Sequence, residues 1–165
     1  MILLNIFDVK DMMAHLLLAD NFDDYLLEEA AVTTFARMEI AGRRNKEWYD
    51  LEEEMEPLPD HLYWKEVKPV IYAYIKGKKT PHSFSISLKL ADKEACRILG
   101  GGQTEQMILE QGIKFLLHFR FEKGKLSVVT GTFYQNFTMD KSGEFAWDSG
   151  LKKLLGQLKI SYEEG

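Results

Sequence analysis

Residues able to move a proton or grip an anion are scattered along this chain, and the pair His118 and Arg120 is the first to weigh. Both alternate with apolar residues in the run Ile113 to Glu122, so both fall on the polar face of a strand. Together with an acid from the 43–60 segment they would suit a general base beside a bound anion. The plainer account is a lone surface histidine. His15, His61 and His82 form no H-x-x-x-H pair, and Cys96, the only cysteine, forms no C-x-x-C pair, so no metal site is assigned. Cys96 stands near Ile98 and Leu99 and reads as a buried structural thiol. No G-x-S-x-G elbow occurs. Gly100-Gly101-Gly102 lacks the spacing of a nucleotide loop and reads as a flexible linker. Gly77-Lys78-Lys79-Thr80 looks like the end of a phosphate loop, but Tyr72 stands where its first glycine belongs. Adjacent carboxylates such as Glu52-Glu53-Glu54 cannot flank a substrate. No catalytic residue and no cofactor is assigned.

A basic rim is the remaining candidate. Arg43, Arg44 and Lys46 follow one predicted strand, and Lys76, Lys78 and Lys79 precede another. If the two strands are neighbours, six cations meet at one edge of a sheet. Such a rim would hold an anionic ligand, a nucleic-acid phosphate or an acidic partner segment. Its bland role is to keep the edge soluble and block edge-to-edge pairing, and that role is favoured.

The elements that must position these groups are legible to different degrees. Residues 1–7 read as a short strand, and Asp8 as the N-cap of a helix ending near Asp20. Val32, Thr34, Ala36, Met38 and Ile40 alternate with their neighbours, predicting one strand over 30–41 closed by Gly42. Residues 25–29 either begin that strand or form a helical turn. The acidic stretch 43–60 reads as a surface loop. Trp64, Val67, Ile71 and Tyr74 favour a helix, which Pro69 would start afresh; a strand over 70–75 is the alternative. Phe84, Ile86, Leu88 and Leu90 mark another strand, and short helices are expected over 91–99 and 104–111. The clearest signal follows. Ile113, Phe115, Leu117, Phe119 and Phe121 share one face, and Lys123-Gly124 closes a hairpin that sets Glu122 opposite Lys125 and Phe119 opposite Val128. A shift of apolar phase after Gly131 suggests a bulge there. An amphipathic helix over 144–158 ends the chain's regular structure. The order lacks a regular βαβ alternation. It predicts an α+β fold: a single antiparallel sheet of about five strands with helices packed on one face.

Size and composition bound the function classes. The 165 residues suit one globular domain over 1–165. A net charge of −5 argues against bulk nucleic-acid binding. Charge is blocked, however: seven acids and no Lys or Arg occupy 47–60, while 65–79 holds five lysines and one acid. The apolar opening MILLNIF has no basic residue before it and is not read as a signal peptide. No run is long enough to span a membrane. A single cysteine suits a reducing, cytoplasmic setting.

Three segments carry a resemblance. They are Asp8-Val9-Lys10-Asp11; Ile75 to Pro81 with Trp64 upstream; and Phe137 to Lys141 followed by Glu144 and Trp147-Asp148. On them the chain resembles an uncharacterised family of small bacterial proteins, a domain of unknown function. The resemblance implies a single domain and a bacterial cytoplasmic setting, and it brings no activity, cofactor or site residue. The sequence therefore points to a non-enzymatic binding or protein-interaction module. Its partner would be another protein or a second copy, drawn to an exposed patch of Phe35, Phe133 and Phe137; nucleic acid is disfavoured by charge, and no membrane is expected.

Overall fold

The computed structural model describes residues 1–49 and 58–165. At its centre stands the hairpin that the alternation of residues 113–134 dictates. β5 (Ile113–Glu122) and β6 (Lys125–Tyr134) pair with Glu122 opposite Lys125 and Phe119 opposite Val128. Lys123 and Gly124 turn the chain at φ of 53° and 75°, the left-handed pair that matches strand twist in a two-residue hairpin.

Five more strands extend this pair: β1 (Leu3–Ile6), β2 (Leu26–Thr33), β3 (Arg37–Ala41), β4 (Ser83–Lys89) and β7 (Tyr162–Glu164). Among the described residues the sheet has seven strands in the order β3-β2-β4-β5-β6-β1-β7, every pair antiparallel. The expected fold class holds, with seven strands in place of about five. Among the described residues five helices roof one face: α1 (Val9–Leu17), α2 (Trp64–Ile75), α3 (Asp92–Leu99), α4 (Gly101–Gln111) and α5 (Ser142–Gln157). Phe115, Phe119, Phe121 and Val128 are buried beneath them with Met12, Leu16, Ile71 and Leu151.

Two indoles pin the roof. Trp147 is fully buried, and its Nε1 donates to the Leu116 carbonyl at 2.7 Å. Trp64 is likewise buried and donates to the Leu16 carbonyl at 2.7 Å. Each ring removes a large apolar area from water while its one polar group stays satisfied.

Several expectations need correction. The strand predicted over 30–41 is two strands, and Leu26 begins the first of them. Thr33 pairs with Arg37 across the three residues 34–36, so inward positions stay even-numbered on both strands and the alternation runs through the turn unbroken. β7 is three residues long, too short for a periodic signal. No bulge occurs at Gly131; β6 pairs in step to Tyr134. Inward positions there become Thr130 and Thr132, which donate to the Asp148 and Glu144 carboxylates of α5. The irregularity lies instead at Glu28, between Leu27 and Glu29, where Gly42 donates to the Glu28 carbonyl at 2.9 Å. A Cβ on Gly42 would stand 1.7 Å from the Leu27 carbonyl oxygen, so only glycine fits. Only Gly100 joins α3 to α4, at φ 94°, and the other two glycines of the supposed linker start α4. The 43–60 segment makes a 3₁₀ turn over Lys46–Trp48 and bridges Arg43 to His61; its residues 50–57 lie outside those described.

α2 runs unbroken through Pro69 and does not restart there. Pro69 faces solvent, while Trp64, Val67 and Ile71 lie buried on the opposite side. The lost backbone bond is thus on the wet face, where water serves the free carbonyl. Pro69→Ala should restore that bond and raise stability by about 1–2 kcal/mol, the usual helix-interior cost of proline less its entropic benefit in the unfolded chain. Urea unfolding reads the change; a destabilised variant would contradict a continuous α2.

Candidate functional site: a lysine-lipped apolar cleft

α1 and α2 lie side by side on the sheet because the sequence fixes both ends of α1. Asp8 caps its start, Oδ1 accepting from the Asp11 amide at 3.0 Å. At its far end the Leu16 carbonyl takes the Trp64 indole of α2. α1 buries Met12 and Leu16 against the sheet and turns Val9, Met13 and Ala14 sideways. Between that flank and the last turn of α2 lies a cleft of about 270 Å³. Tyr72 and Ile75 form its second wall, Pro81 closes one side, and Phe84 and Phe121 make the floor. The two floor rings stack with centroids 5.2 Å apart and planes at 12°. The wall is almost wholly apolar, with Lys10 and Thr80 at its margin.

The lip is cationic. Lys10 is the cation among its lining residues, and residues 76–79, which carry Lys76, Lys78 and Lys79, connect Ile75 to Thr80, both of which line the cleft. The Lys76 ammonium sits 5.9 Å from the centre of the Tyr72 ring. All three lysines are exposed.

Arg43, Arg44 and Lys46 do not join them. The six-cation rim does not form. Arg43 follows the end of β3 beside Glu29, whereas Lys79 leads to Ser83 beside Thr33. Four strand residues, about 13 Å, separate those rows. Arg44 is committed elsewhere. Its side chain is 1% exposed, and its guanidinium grips Glu66 at 2.9 and 2.7 Å and Tyr49 Oη at 2.7 Å. Arg44 holds the Glu66 carboxyl below the usual carboxylate range. Lys46 pairs with Asp60 at 2.6 Å in the open.

His118 and Arg120 lie on the uncovered face of the sheet, away from the cleft. Arg120 pairs with Glu122 at 3.2 Å. The His118 Nδ1 and the Ser87 hydroxyl are 2.8 Å apart. This pair is not a nucleophile and its base. The facing acid, Glu29, sits opposite Ser87 and so on the far side of the serine, while His118 Nε2 faces Gly131. The backbone amides around Ser87 are spent on the strand ladder and cannot form an oxyanion hole. Burial holds the imidazole below its ordinary 6.5, opposed by Glu29 and Glu28.

The phenylalanines expected as one patch are divided. Phe35 tips the β2–β3 turn beside Tyr74, while Phe133 and Phe137 lie at the other end of the sheet. Cys96 is half-buried. Nothing in the sequence marked the cleft itself, since Val9, Met13 and Phe84 are ordinary core residue types. Only the lysine block signalled it.

A family model described as a family of unknown function (DUF5721) matches residues 15–163, and the chain belongs to that family. No curated protein and no solved structure matches the chain.

Arg44→Ala would leave Glu66 without its partner and should cost about 3 kcal/mol in urea unfolding, while Lys46→Ala should change stability little. Equal losses would show that the Arg44 pair is not structural. For His118, a depressed folded value means stability present above 6.5 and lost as pH falls through that lower value. NMR should place the His118 midpoint below 6.5. His118→Gln should remove that part of the acid-side fall in stability; a midpoint above 6.5 contradicts the burial argument.

Proposed function

We propose that the protein is a binding module for an amphiphile with an apolar body and an anionic head, held in the cleft between α1 and α2. One observation carries this reading: an almost wholly apolar, solvent-open cleft has Lys10 at its margin and is bordered by the Ile75–Thr80 connection that carries Lys76, Lys78 and Lys79. Water gains little from wetting such a wall, so a chain or ring that covers it is favoured. The head group then lies among ammonium groups at the mouth.

Magnitudes set the expected affinity. At about 270 Å³ the cleft is small beside drug-sized sites, so it takes one short chain or a ring system. Burial contributes about 0.8 kcal/mol for each methylene, which gives about 6 kcal/mol for a chain of middling length. An exposed ion pair at the lip adds up to about 1 kcal/mol. A dissociation constant on the order of 10–100 μM follows.

Titration calorimetry with decanoate tests this. Decanoate should bind in that range, and decyltrimethylammonium, with the opposite head charge, roughly fivefold more weakly or worse. Ala14→Phe, which fills the cleft from α1, should abolish binding while circular dichroism shows the fold intact. No decanoate binding by the wild type, or undiminished binding by Ala14→Phe, contradicts the proposal.

A further inference from the structure

The register gathers more at this end of the sheet than the cleft alone uses. Thr33, Ser83, Glu122 and Lys125 lie in one row across four neighbouring strands. Ile6 pairs with Leu126, so Phe7 leaves β1 at the same level. The β2–β3 turn, the 76–82 segment, the β5–β6 turn and the start of α1 therefore share one end. They bring Lys10, Lys76, Lys78, Lys79, Lys123 and Lys125 there, in a chain whose net charge is −5. Among the described residues none of these six makes an ion pair or a side-chain hydrogen bond. The acids near this end include Asp8, Asp11 and Glu122, with Glu39 paired to Arg37 and Glu163 exposed on β7 one step from the Ile6 row. Asp8 caps α1, Asp11 stands 3.8 Å from His15, and Glu122 pairs with Arg120.

Two aromatic tips project among the lysines. Phe7 is 64% exposed and Phe35 is 93% exposed. Phe35 leans on Tyr74 of the last turn of α2, with ring centroids 5.9 Å apart, so it stands beside the lip. Phe133, Phe137 and Phe145 are exposed as well, so exposure alone is not the signal; Phe7 and Phe35 differ in standing at the end that carries the unpaired lysines. A ring left in water amid unpaired cations matches the layered chemistry of a bilayer surface, which sets anionic head groups above an apolar interior.

We propose that this end docks on an anionic lipid surface and that the cleft draws its amphiphile from that surface. The second half rests on the reading of the cleft given above; the docking half does not. The six ammonium groups meet the head groups, and Phe7 and Phe35 enter the interface. The mouth of the cleft then faces the lipid, so an apolar chain passes between bilayer and protein without crossing water. This contact needs no spanning segment, and among the described residues no helix is long and apolar enough to be one. A chain with no membrane-length apolar run can still meet a lipid surface through cations and exposed rings.

Vesicle co-sedimentation tests the inference. The protein should sediment with phosphatidylcholine vesicles that contain phosphatidylserine, not with phosphatidylcholine alone, and added salt should release it. The triple variant Lys76→Gln, Lys78→Gln, Lys79→Gln should weaken partitioning on the order of 100-fold, about fivefold for each charge. Phe35→Ala should weaken it about tenfold and leave decanoate binding in solution unchanged, because Phe35 does not line the cleft. Failure to sediment with phosphatidylserine vesicles at low salt overturns the docking end, as does equal binding to neutral vesicles or an unaffected triple variant. Capture of an acidic peptide in place of vesicles overturns it too. Decanoate binding without vesicle binding sinks the docking alone; vesicle binding without decanoate binding supports the docking and sinks the cleft reading.

Discussion

The antiparallel register that, past the irregularity at Glu28, runs in step from β2 through β4, β5 and β6 to β1 is the constraint on which the rest of this structure depends. Val32, Phe84, Phe121, Leu126 and Ile6 are one row of it, all facing the helices. A slip of one residue on any strand would turn its apolar set to water. Each strand contributes several such residues, and full burial of each is worth roughly 1.5–3 kcal/mol. The register is therefore fixed far more firmly than any surface charge could fix it. The position of every turn follows from it, including which lysines become neighbours.

The same row explains the cleft. Phe84 and Phe121 reach the edge of the roof, where α1 and α2 no longer meet. The Trp64–Leu16 bond ties the two helices at one end only. At the other end the flanks carry Val9, Met13, Tyr72 and Ile75, and the gap above the stacked rings stays open. The apolar wall is thus a piece of core that lacks a lid, and core residues line it because strand alternation placed them there.

How much of this was legible in the residues depends on whether a local pattern was forced. The β5–β6 hairpin was, because ten alternating residues and a Lys-Gly turn allow one pairing. The capped first helix and the closing helix were, because their apolar stripes have no rival period. The β2–β3 turn was hidden by arithmetic: three loop residues keep the alternation in phase, and Thr34-Phe35-Ala36 carries none of the usual turn residues. The unbroken α2 was hidden by Pro69, a breaker that tertiary burial of Trp64 and Ile71 overrides. For the site, the block Lys76 to Lys79 was visible as charge, but its proposed companions were wrong. Arg43 to Lys46 follow β3, which β2 separates from β4, and they leave it at the far end, and sequence alone does not say which end. Lys10, Lys123 and Lys125 are isolated in sequence and become neighbours of that block only through the register.

The most direct measurement is a titration of methyl-labelled methionine followed by NMR, since of the seven methionines Met13 lines the cleft, while Met38 lies on β3 and Met107 on α4. On addition of decanoate the Met13 methyl should move in proportion to occupancy, with Met38 and Met107 unmoved. Movement of Met38 or Met107 with Met13 unchanged, or no movement at all, would show that the cleft between α1 and α2 is not where an amphiphile binds.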